Sequence, residues 1–424
     1  MYYTLTTVEG NNSLRMPKAH KVDSTHAWVV AIVSLVLTAV ASGIYYLVGI
    51  AIVPRADELG IPVRSASLPY GLAMLGMGVG GIAMGWFADR RGPFIPAVVG
   101  TLAIVVGSYW VSFTSDFNII LISYAVLLGG IGNGALVTPL FANAARWFEA
   151  RRGLATAVVG SGNALGGAMW PPIFNLWVAN HGFSFTYELF AMIALITMLP
   201  LCLVLRASSP DQRLIKSRVV SHESENDNLL FSPQMIVILL CVAVVGCCTA
   251  MSMPLVHLPN YMAVKGFSLS DGALLLAILM ATSMVARICW GFVCDYLGGL
   301  RTLFLTSSIQ ALGLVGIAFS DGFVALYGVA ILFGLGFGGI LPCYPVILRE
   351  HLSPERLGFR VGLIVLFGAT GMGLGPEIAG RTFAELGTYF PGFAAGFLAN
   401  VLNLILIGTI ILFGVRESKR PAFA

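Results

Sequence analysis

Long apolar runs separated by short polar gaps fill almost the whole chain. Twelve runs are long enough to cross a bilayer, because a helix of about 20 apolar residues spans a hydrocarbon core of roughly 30 Å. They lie at 27–53, 66–88, 93–114, 118–141, 153–179, 184–206, 234–258, 271–293, 300–320, 322–348, 358–384 and 390–415. The pattern predicts an all-α integral membrane protein with twelve transmembrane helices.

A polar segment in the middle of the chain divides the runs into two groups of six. Residues 207–233 hold the longest charged stretch and are expected to be a cytoplasmic linker. This linker separates an N-terminal six-helix bundle at 27–206 from a C-terminal six-helix bundle at 234–415. Polar cytoplasmic tails at 1–26 and 416–424 complete the predicted organisation.

Lysine and arginine are distributed unevenly between the two sides of this topology. With the N-terminus in the cytoplasm, 19 of the 24 basic residues fall in cytoplasmic segments and four in outside segments, while Arg287 lies within a span. Because cytoplasmic loops carry the excess of Lys and Arg, both termini are predicted to be cytoplasmic. The expected location is the plasma membrane, in particular a bacterial inner membrane.

The composition excludes several classes of protein. Charged residues make up 10% of the chain, against about 25% in soluble domains, which excludes a soluble enzyme and a secreted disulfide scaffold. A net charge of +4 gives no reason to expect nucleic acid as a partner. The seven cysteines lack metal-ligand spacing, no nucleophile–base group lies at membrane depth, and no G-x-x-x-x-G-K-[ST] sequence occurs. We therefore expect no metal, no cofactor, no enzymatic activity and no ATP-driven pump.

A short element recurs in the two halves of the chain. The segment 85–92 (GWFADRRG), which contains Asp89, recurs 206 positions later as 291–298 (GFVCDYLG), which contains Asp295. An even number of helices per half makes the two halves parallel repeats, related by an axis along the membrane normal. Two such bundles around a central site are the architecture expected of an alternating-access carrier.

The first copy of this element resembles the G-x-x-x-D-R-x-G motif of the major facilitator superfamily, matched by Gly85, Asp89, Arg90 and Gly92. The resemblance extends over essentially the whole chain. It implies a twelve-helix carrier that works as a monomer in the lipid bilayer. It also implies that the residues lining the central cavity come from helices 1, 4, 7 and 10.

Three further segments resemble narrower families. Residues 146–155 (RWFEARRGLA) are similar to the junction between helices 4 and 5 of monocarboxylate transporters and of oxalate–formate antiporter relatives. Residues 42–45 (SGIY) look like the oxalate–formate branch, and 283–287 (SMVAR) resembles the arginine segment in helix 8 of monocarboxylate carriers, with Ser283 in place of an aspartate. The likeness implies transport of small organic anions, coupled to protons or to a counter-anion.

Arg287 is the first candidate for binding a substrate. It lies eight residues before Asp295, which is expected to mark the cytoplasmic end of helix 8, and is therefore roughly 12 Å deep at about 1.5 Å per residue. An arginine at this depth costs about 2.5–3.5 kcal/mol on insertion scales, so it needs a cavity and an anion. Its planar guanidinium fits a carboxylate. The alternative is a structural arginine bound to helix carbonyls or to a protein carboxylate.

Other polar residues at membrane depth need a partner or an aqueous cavity. We expect Tyr45 and Asn133 to hold a substrate hydroxyl or carbonyl, and Tyr344, His257 and Asn163 to line the same cavity. For each of them, and for Tyr46 and Tyr124, interhelical packing is the alternative.

Two further roles are assigned to charged residues. Glu377 and His257 are candidates for carrying the coupled proton, although Glu377 and Arg381, four residues apart, are also placed to form an ion pair. Four residues at the predicted cytoplasmic rim are expected to form a latch for the inside-closed state, not a substrate site: Asp89, Arg90, Arg146 and Asp295.

These observations predict a proton symporter of small monocarboxylates such as lactate or pyruvate, because one buried cation matches one carboxylate. The alternatives are an organic-anion exchanger of the oxalate–formate type and a proton-coupled exporter of drugs or other apolar compounds. A membrane sensor that binds an anion without moving it is a further alternative, from a different class of function.

Overall fold

The computed structural model describes residues 22–52, 59–61, 65, 68–207, 209 and 231–414. Within them the prediction of an all-α protein with twelve membrane-length helices is confirmed. The helices are α1 (Thr25–Ile52), α2 (Leu68–Arg91), α3 (Phe94–Phe113), α4 (Phe117–Trp147), α5 (152–181), α6 (183–206), α7 (Pro233–Val264), α8 (Leu269–Leu297), α9 (Gly299–Phe319), α10 (Phe323–His351), α11 (Leu357–Leu386) and α12 (Phe390–Gly414).

Helices α5 and α6 follow one another without a loop. The helical run Arg152–Arg206 has 55 residues, which is about 80 Å at 1.5 Å per residue and far too long for one span. Gly182 breaks the run with a φ of 82° and a ψ of −175°, a conformation that is open to glycine and closed to other residues. The chain therefore reverses at Gly182, between the fifth and sixth predicted spans.

Two helices are irregular where sequence analysis placed candidate binding residues. In α1 the regular helix ends at Ala41, and Tyr45 lies in the short segment Gly43–Leu47 that follows. In α4 the wider turn of a π-helix covers Ser123–Asn133. Such π-helical turns are rare and occur often at functional sites.

Serine side chains cap the starts of three helices. The Ser24 and Ser232 hydroxyls accept hydrogen bonds from backbone N–H groups in the first turns of α1 and α7. At the start of α8, Ser268 and Asp271 cap each other's backbone N–H groups reciprocally. These caps satisfy amide groups that have no partner within the helix and fix where each span begins.

The outer surface of the bundle carries large apolar side chains. Val324, Leu412, Phe319 and Tyr296 are among the most exposed, at 69–83% of their full areas. In water such a surface would drive aggregation. Its position on membrane-length helices identifies it as the face that contacts lipid.

We call the side of the bundle where α1 begins and α12 ends the tail side, and the opposite side the far side. In the tail-side half, α2 and α11 are in backbone contact. A Cβ atom on Gly85 would lie 2.6 Å from the carbonyl carbon of Gly358, and one on Gly362 would lie 2.7 Å from the Cα of Ile82. Only residues without a side chain allow this approach.

A second pair of helices, α5 and α8, closes the same half in the same way. A Cβ atom on Gly291 would lie 2.9 Å from the Cα of Leu154, and one on Gly153 would lie 2.7 Å from the Cβ of Cys294. Both helix pairs join one of the first six helices to one of the last six. The tail-side half of the molecule is therefore closed along two seams.

Toward the far side, α2 and α11 separate. Gly71 of α2 and Gly373 of α11 are exposed, and a Cβ atom added at either would meet no other atom within 4 Å. The same two helices that touch at Gly85 thus leave space between their far-side halves. The structure is closed at the tail side and opens at α2 and α11 toward the far side.

Candidate functional site

Arg287 lies on α8 at the seam with α5. Its Nη1 donates a hydrogen bond to the carbonyl oxygen of Gly160 at 2.5 Å, and its Nε is buried without a partner. No carboxylate contacts its guanidinium among the described residues. The arginine side chain packs closely against this turn of α5, since a Cβ atom at Gly160 would lie 3.7 Å from Arg287 Cδ, in van der Waals contact. In this structure, a helix carbonyl accepts one hydrogen bond from the guanidinium, which keeps other N–H groups that could bind an anion.

Two of the candidate residues of the first helices make incomplete sets of hydrogen bonds. The Tyr45 hydroxyl donates to the sulfur of Met77 at 3.2 Å, and its ring contacts that of Tyr70 edge-on. The amide of Asn133 donates to the carbonyl of Ala41 at 3.2 Å, while its Oδ1 is buried without a partner. A thioether is a weak acceptor, so the Tyr45 hydroxyl could still donate to a polar ligand. The free Oδ1 of Asn133 could accept a hydrogen bond from one.

The remaining tyrosine and asparagine candidates divide into free and paired groups. The Oδ1 of Asn163, three residues after Gly160 on α5, and the hydroxyl of Tyr344 on α10 are buried without partners. By contrast, the hydroxyls of Tyr124 and Tyr187 bond each other at 2.6 Å in the buried contact between α4 and α6. Tyr124 therefore fits interhelical packing, the alternative that sequence analysis left open.

His257 lies at the contact between α7 and α11. Its Nε2 is 2.9 Å from the carbonyl oxygen of Pro376 and its ring is 5.2 Å from that of Tyr389, while its Nδ1 is buried without a partner. A carbonyl oxygen accepts and cannot donate, so Nε2 is the donor in this contact and Nδ1 is the ring nitrogen left without a partner.

Glu377 and Arg381 form an ion pair on α11. Arg381 Nε donates to Glu377 Oε1 at 2.6 Å, and the side chains of Arg381 and Glu377 are 74% and 60% exposed. The pair belongs to the far-side half of the helix, where α11 has separated from α2. Because both groups remain largely exposed, the ion pair itself contributes little to stability.

At the tail side, Asp89 joins α2 to the start of α11. Its carboxylate accepts hydrogen bonds from the backbone N–H groups of Gly358 and Phe359, at 2.8 and 3.0 Å. Arg146 of α4 binds the same carboxylate at 2.5 Å and also donates to the carbonyl of Pro354 at 3.0 Å. Asp89 and Arg146 together therefore hold the N-terminus of a helix from the other half, where the helix dipole favours negative charge.

Asp295 makes the corresponding contact in the other direction, from a helix of the C-terminal half to a helix of the N-terminal half. Its carboxylate accepts from the backbone N–H groups of Gly153 and Leu154, at 2.5 and 3.1 Å, at the start of α5. Each half thus supplies one aspartate that caps a helix of the other half. Because Asp89 and Asp295 occupy equivalent positions in the repeated element, one contact lies at the seam between α2 and α11 and the other at the seam between α5 and α8.

Arg90 does not take part in this arrangement, which corrects the grouping predicted from the sequence. Its guanidinium lies 3.8 Å from the ring centre of Trp86, on the surface. Consecutive residues of a helix point about 100° apart, so Arg90 cannot share the direction of Asp89. From the sequence, a helix N-terminus was one of the partners expected for Asp89, but the amides of Gly153 and Gly358 were not identified, although these glycines repeat at a spacing of 205 residues.

An apolar groove of about 590 Å³ lies elsewhere, between α8, α9 and α10. It is lined by residues such as Val285, Cys289, Trp290 and Leu335. On α8, Val285 and Cys289 are two residues before and after Arg287 and therefore lie on nearly the opposite face of the helix. The groove faces away from the seam and offers no charged group, so we do not assign it to the substrate.

The sequence profile of the Major Facilitator Superfamily matches residues 33–376. The chain belongs to this superfamily. It is therefore a secondary transporter embedded in a membrane by multiple spans, and the prediction that it is not an enzyme is confirmed.

Curated proteins similar to this chain include fungal transporters. The chain is 25% identical over 382 residues to the MFS-type transporter pynF of Aspergillus niger, and the match covers 88% of this chain and 85% of the relative. It is 23% identical over 307 residues to the agnestins efflux protein AgnL12 of Paecilomyces divaricatus, covering 72% and 68%. These relatives come from fungi and give no support to the predicted bacterial inner membrane.

Solved structures share the fold at low identity. The human organic anion transporter MFSD10 superposes with a TM-score of 0.68 at 17% identity, covering 90% of this chain and 99% of that one. The proton:xylose symporter XylE of the same superfamily gives 0.69 at 14% identity, covering 92% and 96%.

Proposed function

We propose that this transporter carries small monocarboxylates of the lactate or pyruvate type, and that Arg287 binds the substrate carboxylate. The observation that carries the proposal is a buried guanidinium that makes one hydrogen bond to a carbonyl and has no carboxylate partner among the described residues. A buried charge without an opposite charge is costly, and an anionic substrate would remove that cost.

The geometry favours one carboxylate group. A carboxylate that binds the fork formed by Nη1 and Nη2 would take the place of the Gly160 carbonyl oxygen at Nη1, and Nε would remain free to donate to another polar group of the substrate. Arg287 alone would leave a second carboxylate on the substrate without a counter-ion. We assign contacts with the rest of the substrate to the incompletely bonded polar groups of Tyr45, Asn133, Asn163, Tyr344 and His257.

Binding would also act on the seam between the halves. The hydrogen bond from Arg287 to Gly160 joins α8 to α5, so a carboxylate that takes over the guanidinium would break a contact across that seam. Substrate binding would then loosen one of the seams that must part when the tail side opens. This couples occupancy of the site to alternating access.

We assign the two aspartate contacts at the tail side to a latch that holds this state closed. Asp89 with Arg146, and Asp295, each cap a helix of the other half. The excess of Lys and Arg on the tail side orients it toward the cytoplasm, and the plasma membrane is the proposed location. We further propose two six-helix halves, 27–206 and 234–415, that move against each other within a monomer.

Proton coupling is assigned to Glu377, with His257 as the second candidate. Glu377→Gln removes the ionisable group and keeps the shape, so we expect this variant to lose the response of uptake to an inward proton gradient while anion exchange continues. Glu385→Gln, on the same helix and also exposed, is the control. The measurement is uptake into proteoliposomes with and without the gradient. A response equal to that of the wild type would remove Glu377 from the mechanism and leave His257 to be tested.

The proposed function is tested by uptake of labelled lactate into proteoliposomes, with unlabelled formate, oxalate, pyruvate and a lipophilic cation as competitors. Uptake driven by a proton gradient and inhibited by pyruvate is the expected result. Uptake that requires a preloaded anion would instead identify an exchanger of the oxalate–formate type. Absence of any anion transport or competition would overturn the proposal.

Efflux of larger organic compounds is the second candidate function. It is favoured by the fungal relatives, one of which is named an efflux protein. In that case the lipophilic cation or another apolar compound, and no small anion, would be transported in the same vesicles.

A further inference from the structure

The start of α1 holds the short loop between α4 and α5, residues 148–151. The backbone N–H of Asp23 donates to the carbonyl of Trp147 at 3.2 Å, and its carboxylate accepts from the N–H groups of Glu149 and Ala150, at 3.3 and 3.1 Å. Asp23 has a φ of 55°, and no other non-glycine residue in the described part of the chain has a positive φ. A conformation this unfavourable persists where surrounding contacts impose it.

Aromatic contacts reinforce the same attachment. The ring of Trp28 meets that of Phe148 edge-on at 4.7 Å, and the ring of His26 lies 5.4 Å from that of Trp147. Residues 23–28 therefore cover the loop with both polar and apolar contacts. The loop is fixed from one side by the beginning of the first helix.

Both contacts between the halves meet at the two ends of this loop. Arg146, just before it, binds Asp89 and the Pro354 carbonyl. Gly153, just after it, donates its N–H to Asp295. The residues that Asp23 binds lie between these two points. A shift of the loop would displace the partners of both aspartates at once.

We infer that Asp23 is a positioning residue for closure of the tail side. It fixes the α4–α5 loop so that Arg146 and the first amides of α5 lie within reach of Asp89 and Asp295. Asp23 touches neither Arg287 nor the other candidate binding residues, so the inference holds for any substrate. It makes the segment that leads into α1 a part of the closing machinery.

The test measures the distance between the halves in the full-length protein. Spin labels at Arg91→Cys on α2 and Tyr296→Cys on α8, in a Cys289→Ser background, report the tail side, since both native side chains are exposed there. Cys289 is the one exposed cysteine of the seven. We expect Asp23→Ala to lower the closed, short-distance population roughly 2- to 10-fold, the range given by losing a net hydrogen bond or two.

A second label pair, Asn180→Cys and Glu385→Cys, reports the far side, where both side chains are exposed. The matched control is Asp116→Ala, because Asp116 also accepts a backbone hydrogen bond, from Asn118 at 2.8 Å, but at the far-side start of α4. Asp23→Asn retains one oxygen that can accept a hydrogen bond and should shift the population less than Asp23→Ala.

Three outcomes decide the inference. Longer tail-side distances and shorter far-side distances in Asp23→Ala, with the asparagine variant intermediate and thermal stability equal to that of Asp116→Ala, support it. Identical distances in Asp23→Ala and Asp116→Ala overturn it. Broadening of both distributions together with a lower melting temperature also overturns it, because Asp23 would then hold the fold and not the closed state.

Discussion

Replacing Arg287 with glutamine is expected to reduce uptake of the carboxylate substrate by roughly 10- to 150-fold, the equivalent of a lost hydrogen bond to a charged group of about 1.5–3 kcal/mol. Glutamine keeps a polar end but loses the charge and the paired donors. Arg287→Lys keeps the charge and loses the planar fork, so its uptake should fall between that of the wild type and Arg287→Gln. Initial uptake rates in proteoliposomes measure both effects.

The control for loss of a positive charge is Arg301→Gln, an exposed arginine at the tail-side end of α9, which should transport as the wild type does. A structural role for Arg287 is separated by ligand-induced stabilisation. Substrate should raise the melting temperature of the wild type and leave that of Arg287→Gln unchanged. If Arg287→Gln retained both uptake and stabilisation by substrate, the arginine would serve only to bind the Gly160 carbonyl.

The membrane-spanning helices could be predicted from the sequence because the lipid environment itself requires long apolar segments. A run of apolar residues long enough to cross the bilayer has one stable conformation, since backbone groups must be satisfied within the segment. Even the reversal between α5 and α6 falls in the gap between the fifth and sixth predicted spans, where Gly182 has the glycine-specific φ of 82°. The repeat of Asp89 and Asp295 likewise predicted two related contacts.

The hydrogen-bond partners of the charged residues were much harder to predict from the sequence. Arg287 bonds a backbone carbonyl of α5, and Asp23 and Asp295 bond backbone amides. Every residue but proline offers such an amide and every residue such a carbonyl, so the pattern of side chains does not reveal them. Tyr124 and Asn133 illustrate the same limit: both are polar residues of α4, but one is paired with a tyrosine and the other keeps a free oxygen.

Replacing Gly85 with valine is expected to prevent the tail side from closing. A Cβ atom at this position would lie 2.6 Å from the carbonyl carbon of Gly358, and backbone cannot move aside as a flexible side chain can. Overpacking of this kind costs about 1–3 kcal/mol. If that cost falls on the closed state alone, the closed population decreases roughly 5- to 150-fold. Transport should fall with it, because a carrier that cannot close its tail side cannot complete a cycle.

The distance between labels on α2 and α8 at the tail side measures this population directly. Gly328→Val is the matched control, because Gly328 lies within α10, is exposed, and would place a Cβ atom where no other atom lies within 4 Å. It carries the same penalty for a β-branched residue in a helix without the clash. If Gly85→Val kept the short tail-side distance and wild-type uptake, α2 and α11 would not need to touch for closure, and the seam would have to be held by α5, α8 and the two aspartates alone.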